Sequence, residues 1–259
     1  MPRVPVKKID RKDIVLRRGY IDHDKESVYF WAQKCACTTL FSTLVLTYGN
    51  GPNATYQKAS QPHDECLRVI QQRGYRSAAI TRNPYDRMIS CYLNKFVSKS
   101  GVPFEDMNKF DGFARKHYQV AAKKNGLSRT INEMTFEIFL TTIARLMKYR
   151  TDSNLNTLNG HCDTQVPPAM TGYQYDTIVR MENFTEDYQV MCQKYGLTLV
   201  SEPRNATVYS DPSDEYLGGL AAHDLFHKPL SKRNFRSPAT DSIISRLYRD
   251  DFRTFGYDI

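Results

Sequence analysis

Residues 28–40 read VYFWAQKCACTTL. It begins with a short apolar run, passes through Lys34 and two cysteines, and ends in two threonines that precede a second apolar run. The first run predicts a short buried strand. The threonines and Gly49 predict the beginning and the end of a helix. The sequence therefore places a tight loop between a buried strand and a helix.

This loop has the features of an anion-binding site. A strand that passes through a tight loop into a helix directs backbone amides and the positive end of the helix dipole to one point. Lys34 adds a positive charge, and Thr38 and Thr39 add hydroxyl groups. Three small residues let the backbone approach a ligand: Cys35, Ala36 and Cys37. The loop thus predicts a site for phosphate or sulfate.

Other interpretations of the loop fit less well. It lacks the GxxxxGK[ST] spacing of a nucleotide triphosphatase. A zinc site would need two further ligands from elsewhere in the chain, and CxC is not the usual spacing. We therefore expect neither a metal site nor a redox pair. For Lys34 the alternative is a solvated loop lysine without a ligand.

A second strand, loop and helix follow in residues 78–96, AAITRNPYDRMISCYLNKF. Arg82 stands at the end of the predicted strand, Pro84 at the first position of the predicted helix, and Ser90 within that helix. An arginine can bind a phosphate through two parallel hydrogen bonds, and a serine can add a third. Two anion loops at the ends of neighbouring parallel strands suit a cofactor with two separated phosphates.

The remaining pattern predicts an α/β fold. Residues 175–184, YDTIVRMENF, indicate a third strand that leads into a helix, and residues 109–150 indicate a mostly helical middle region. Strands that alternate with helices favour a parallel sheet covered on both faces. The chain contains no internal repeat and no long linker, so we expect a single domain over residues 1–259.

Composition limits the function classes. The chain has 259 residues and a formal net charge of +8, which favours an anionic partner, although such a charge can also serve solubility alone. No run approaches the roughly 18 apolar residues of a membrane span, and the first residues lack the apolar centre of a signal peptide. We expect a cytoplasmic protein without a transmembrane segment, with its six cysteines mainly reduced. The sequence indicates no oligomeric state.

Both loops resemble those of a known family. FWAQKCACTTL resembles the 5′-phosphosulfate loop, and ITRNPYDRMISCYLNKF the 3′-phosphate loop, of the sulfotransferases that use 3′-phosphoadenosine 5′-phosphosulfate (PAPS). The second segment follows the pattern R-[DEN]-P-[FY]-x-R-[LM]-x-S-x-Y-x-[ND]-K-F of the carbohydrate type, which includes chondroitin, HNK-1 and uronyl 2-O-sulfotransferases. Three later segments also match in order and spacing: NGHCDTQ, YDTIVRMENFTEDYQVMCQKYG and LYRDDFRTFGYDI. The family usually has proline before the loop lysine, where this chain has Gln33.

The resemblance implies a P-loop-like central parallel sheet flanked by helices. It also implies transfer of a sulfuryl group from PAPS, with PAP as the product, to a hydroxyl by in-line displacement without a metal. Lys34 would contact the bridging and sulfuryl oxygens and stabilise charge on the departing phosphate. Thr38, Thr39 and the amides of residues 35–38 would hold the 5′-phosphate.

The 3′-phosphate would be held by Arg82 and Ser90, which would thereby distinguish PAPS from ATP. The late segment HKPLSKRNFRSP offers further cations for the 3′-phosphate, and a solvated basic loop is the alternative. These cations are Lys232, Arg233 and Arg236.

An acceptor hydroxyl also needs a base. His63 lies between the two phosphate loops in the sequence, as does the base of many related enzymes, and His161 in NGHCDTQ matches a histidine of the carbohydrate subgroup. An isolated histidine is often structural, so the two stay in competition. The other histidines are weaker candidates: His23, His117, His223 and His227.

Three function classes remain in comparison. The first is a PAPS-dependent sulfotransferase that acts on a hydroxyl of a glycan or another carbohydrate, or on a hydroxyl or amine of a non-carbohydrate small metabolite. The second is a nucleotide kinase-like phosphoryl transferase, which would need magnesium ligands and a Walker-type loop that the sequence does not show. The third is a nonenzymatic anion-binding module, and the absence of RNA-binding signatures argues against nucleic acid as a partner.

Overall fold

The computed structural model describes residues 17–49, 51–97, 112–128, 132–150, 160–167, 170–200 and 214–259. The chain divides into two compact units. The sheet unit comprises residues 1–83, 163–206 and 250–259, and the helical unit comprises residues 84–162 and 207–249. The single domain expected from the sequence stays a prediction. Among the described residues, no helix is long and apolar enough to cross a membrane.

In its described residues, the sheet unit contains a five-stranded mixed sheet. Its strands are β1 (Arg17–Asp22), β2 (Ser27–Phe30), β3 (Gln61–Pro62), β4 (Arg76–Thr81) and β5 (Thr177–Arg180). They lie in the order β3-β1-β2-β4-β5. β2, β4 and β5 are parallel, whereas β1 pairs antiparallel with both β2 and β3. The three strands predicted from the sequence are those of the parallel part.

Both faces of this sheet are covered, which is why β2 is an uninterrupted buried run. Tyr29 points into a core cluster with residues of α1 (Cys37–Tyr48) and α7 (Phe184–Tyr195). Its neighbours Val28 and Phe30 belong to a second cluster with residues of α3 (His63–Arg73) and with Phe255. Two further helices belong to this unit: α2 (Asn53–Lys58) and most of α10 (Arg249–Phe255).

The predicted central parallel sheet is confirmed in β2, β4 and β5, and on one side it continues into two antiparallel strands that the sequence pattern does not predict. β1, with the sequence RRGYID, is rich in charge and does not show the apolar run of a buried strand. It forms because a tight turn returns the chain to pair with β2. Arg18 in this strand is nevertheless buried, with 2% of its surface exposed. Hydrophobic periodicity does not predict the burial of a charged side chain.

The helical unit confirms the mostly helical middle region for the residues that the structure describes. It contains α4 (Pro84–Lys95), α5 (Gly112–Asn125), α6 (Phe136–Arg150), α8 (Ala222–Leu225), a 3₁₀ turn (Lys232–Phe235) and α9 (Pro238–Leu247). An aromatic cluster forms its core, with ring centroids of neighbours 5.4 to 6.2 Å apart. Its members are Tyr92, Phe96, Phe136, Phe139 and Phe235. The predicted helical stretches 109–111 and 129–131 lie outside the described residues.

The packing of β1 on α3 yields a stability prediction. A Cβ atom at Gly19 would lie 2.3 Å from Sγ of the buried Cys66, which is too close for any real contact. Gly19→Ala should therefore lower the free energy of unfolding by about 1–3 kcal/mol, as overpacking does. Urea unfolding measures this loss.

Two further variants test the cause. Because Cys66 Sγ is the clashing atom, adding Gly19→Ala to Cys66→Ala should cost much less than adding it to the wild type. Gly112→Ala, where nothing lies within 4 Å of the added Cβ, serves as the control. Equal losses from Gly19→Ala in both backgrounds would contradict this account of the packing.

Candidate functional site

The first loop, residues 31–36 between β2 and α1, has an unusual backbone. Lys34 and Ala36 have φ angles of 69° and 45°, in the left-handed region that residues with a Cβ atom seldom adopt. Cys35 lies between them, fully buried, and its amide donates to the carbonyl of Ala32 at 3.2 Å. Turns of this kind direct successive backbone N–H groups into one concavity.

The backbone N–H groups at the N-terminus of α1 have no side-chain cap from the N-cap residue. Ala36 is the N-cap residue, and its side chain provides no capping hydrogen bond. Thr39 in the first turn is 1% exposed, and its Oγ1 has no hydrogen-bond partner in the described part of the chain. A buried hydroxyl without a partner costs about 1–3 kcal/mol. The helix start therefore combines donors, a positive dipole end and an unsatisfied hydroxyl, which together suit an anion.

Arg82 lies at the same edge of the sheet. β2 and β4 are parallel neighbours, with Phe30 opposite Ala79, so their carboxyl ends lie side by side. Arg82 follows β4 directly, is half-buried, and its Nη1 donates to the carbonyl oxygen of Lys34 at 3.4 Å. The structure thus brings together the lysine and the arginine that the sequence singled out in separate loops.

Gln165 joins these two segments, although no pattern in the sequence selects it. Its Oε1 accepts hydrogen bonds from Cys35 Sγ at 3.1 Å and from the backbone amide of Arg82 at 2.9 Å. Its Nε2 donates to the carbonyl oxygen of Arg82 at 2.9 Å. The only available signal was its place at the end of NGHCDTQ, a segment of the family resemblance that carried no role for this residue.

The remaining predicted phosphate-binding residues lie in the helical unit. Ser90 is on α4 and is 1% exposed. Lys232 forms an ion pair with Asp86. Arg236 donates to both carboxylate oxygens of Asp241, at 2.6 and 2.9 Å, and stacks over the ring of Tyr85. Arg233 is exposed. Their contact with a phosphate stays a prediction.

The two candidate bases have different surroundings. His63 is the first residue of α3 and is 4% exposed, and its ring stacks parallel on Phe30 with centroids 5.7 Å apart. Packing of this kind is typical of a structural histidine. His161 belongs to the helical unit and is half-buried in a turn, so it is the more accessible of the two. The role of either histidine as the base stays a prediction.

Five of the six cysteines are buried, and Cys37 at the start of α1 is the half-buried one. Burial raises the pKa of the Cys37 thiol above its ordinary value, although hydrogen bonds of Thr38 and the charge of Lys34 oppose the shift. The thiol form therefore predominates at neutral pH. A reactive or metal-binding cysteine needs the thiolate, so Cys37 is suited to packing rather than to redox chemistry.

Alkylation of the native protein tests this interpretation. Because the raised pKa leaves little thiolate, Cys37 should react with iodoacetamide more slowly at about pH 7 than an unfolded cysteine peptide does. Its rate should still rise with pH beyond about 9, and Cys37→Ser should abolish the native-state adduct. A rate that reaches its plateau below about pH 8 would contradict the assignment.

Comparisons with known proteins relate the chain to one family. The model of the family described as "Sulfotransferase family" matches residues 17–258. Carbohydrate sulfotransferase 11 of Mus musculus is 24% identical over 199 residues, which cover 71% of this chain and 54% of the mouse protein. Carbohydrate sulfotransferase 11 of Rattus norvegicus is 23% identical over 199 residues, with the same shares of 71% and 54%.

The chain thus spans about half the length of the curated relatives it matches. No solved structure matches the chain. The family match nevertheless includes every strand of the sheet, the first loop, Arg82 and Gln165. On this match, the chain belongs to the sulfotransferase family.

Proposed function

We propose that the protein is an enzyme that transfers a sulfuryl group from PAPS to a hydroxyl of a carbohydrate. The observation that carries the proposal is the contact between the two loops, in which the Arg82 guanidinium donates to the backbone of Lys34 beside the uncapped start of α1. Family membership supports PAPS as the donor. The names of the mouse and rat relatives favour a carbohydrate over a non-carbohydrate metabolite as the acceptor.

The residues present fit an anionic donor of this kind. The first turn of α1 contains no acidic residue, its N-cap residue has no side-chain acceptor among the described residues, and Thr39 Oγ1 is buried and unsatisfied there. An anion at this point would supply acceptors to these donors and interact favourably with the helix dipole. The left-handed backbone of Lys34 and Ala36 is consistent with the same role.

Each residue has a distinct task in this proposal. When bound, PAPS supplies the sulfuryl group and a 5′-phosphate leaving group. The amides of residues 35–38, with the hydroxyls of Thr38 and Thr39, bind and orient the phosphate. Lys34 holds a positive charge where negative charge develops, and such preorganised charge is often the largest contribution to catalysis.

The 3′-phosphate is assigned to Arg82, whose fork of N–H donors matches phosphate geometry. Ser90 and the basic residues of the late loop are assigned to the same phosphate from the sequence resemblance alone. His63 and His161 remain the two candidates to accept the proton of the acceptor hydroxyl. The cytoplasmic location stays a prediction.

Binding of adenosine 3′,5′-bisphosphate tests the donor site. Calorimetric titration should show tighter binding of the bisphosphate than of AMP, and Arg82→Ala should weaken the bisphosphate by about 10- to 100-fold while changing AMP little. Thr39→Val should weaken both nucleotides without destabilising the unliganded protein, because its buried hydroxyl has no partner to lose.

The matched control for this titration is Arg73→Ala, which removes an exposed arginine at the end of α3. It should leave both affinities unchanged. Equal affinity of the wild type for bisphosphate and AMP, or wild-type binding by Arg82→Ala, would count against the assignment of the second loop.

Turnover tests the role of Lys34. With labelled PAPS and a chondroitin acceptor, Lys34→Ala should lower kcat by about 100-fold or more, since it removes charge stabilisation in the transition state. Lys58→Ala, at an exposed position of α2, should leave kcat unchanged. Wild-type turnover by Lys34→Ala would refute this mechanism, and the same assay with small alcohols, phenols and amines decides the acceptor class.

A further inference from the structure

The geometry points to Gln165 as a positioning residue that sets the conformation of Arg82 and couples it to the first loop. Through this side chain, selectivity for a nucleotide with a 3′-phosphate depends on a residue that acts through Arg82. The inference rests on the proposed function, because it assumes that Arg82 binds the 3′-phosphate.

The primary amide of Gln165 matches its surroundings on both sides. Its Oε1 accepts from three donors, which are the Arg82 amide at 2.9 Å, Thr81 Oγ1 at 3.2 Å and Cys35 Sγ at 3.1 Å. Its Nε2 donates to two acceptors, which are the Arg82 carbonyl oxygen at 2.9 Å and Asp251 Oδ2 at 3.4 Å. A primary amide is the side-chain group that combines an acceptor oxygen with two N–H donors in this way.

Arg82 is fixed at both of its backbone polar groups. Gln165 accepts from its N–H and donates to its C=O, so the peptide units on both sides of its Cα are held. The same oxygen of Gln165 also bonds the thiol of Cys35, next to Lys34 in the first loop. One side chain therefore links the two loops, in addition to the direct contact between Arg82 and the Lys34 carbonyl.

Gln165 is itself held by a buried charged network. It is 8% exposed, and its backbone amide donates to both carboxylate oxygens of the buried Asp251, at 2.9 Å each. The next amide, of Val166, donates to the same carboxylate at 2.9 Å. On the other side, Arg18 donates to the carbonyl of Thr164 at 2.8 Å. The chain on both sides of Gln165 is thus anchored.

These contacts predict how substitutions at Gln165 behave. In Gln165→Glu an ionised carboxylate would face the Arg82 carbonyl and Asp251, and both would repel it. Burial beside Asp251 raises the pKa of such a carboxyl, and its protonated form recovers one O–H donor toward the Arg82 carbonyl. The defect should therefore be present at high pH and diminish as the pH falls. Gln165→Met keeps length and volume but has no donor, so its defect should not respond to pH.

The experiment is calorimetric titration with adenosine 3′,5′-bisphosphate and AMP at about pH 8 and about pH 5.5. At the higher pH both variants should lose about 10-fold or more of the bisphosphate affinity, and less of the AMP affinity. At the lower pH Gln165→Glu should regain most of the loss relative to wild type measured at the same pH, whereas Gln165→Met should not. Comparison at equal pH removes the titration of the nucleotide phosphates.

Controls separate this inference from the proposed function. Gln72→Glu introduces the same charge at an exposed position of α3 and should leave binding unchanged. Absence of bisphosphate binding by the wild type would overturn the proposed function itself. Loss of selectivity in Arg82→Ala, with selectivity retained in both Gln165 variants, would overturn the positioning role alone. A purely structural role of Gln165 predicts that the variants have lower thermal stability but unchanged selectivity in the folded protein. That result would also overturn the inference.

Discussion

The left-handed backbone of Lys34 and Ala36 has to be imposed by the surrounding structure, because residues with a Cβ atom disfavour it. Such strain costs of order 1–3 kcal/mol per residue and persists only where neighbouring contacts over-determine it. Here the buried strand β2 fixes the entry to the loop, the burial of Cys35 fixes its middle, and the apolar face of α1 fixes its exit. The strained loop can form because the hydrophobic core holds both of its ends.

The same core explains how much of the fold could be predicted. β2, β4 and β5 are short apolar runs, and the helices after them carry clear start and end signals, so local pattern was sufficient. β1 was missed because its burial includes Arg18, whose partners Asp163 and Thr164 lie about 145 residues away. Such a pairing leaves no periodicity in the sequence.

The candidate site, like the fold, could be predicted from the sequence only in part. The proximity of Lys34 and Arg82 could be predicted because each follows a parallel strand, and the carboxyl ends of such strands meet at one edge. Their roles in binding stay predictions. Gln165 could not be selected, since its side chain bonds the first loop and β4, and helix α10 through Asp251, all distant in sequence. For Lys232 and Arg236, the sequence showed the positive charges but not the carboxylates of Asp86 and Asp241 that neutralise them.

The dependence of Gln165 on Asp251 also bears on the order in which the protein acquires its structure. The two residues are 86 positions apart, and Cys35 precedes Gln165 by a further 130. Contacts of such long range close late in folding, because a large loop entropy is lost before they form. During synthesis, the strand and helix around the first loop leave the ribosome well before Gln165 and Asp251 exist. A nascent chain can therefore form its first secondary structure early, yet it gains an ordered donor site only after more than two hundred further residues have been made.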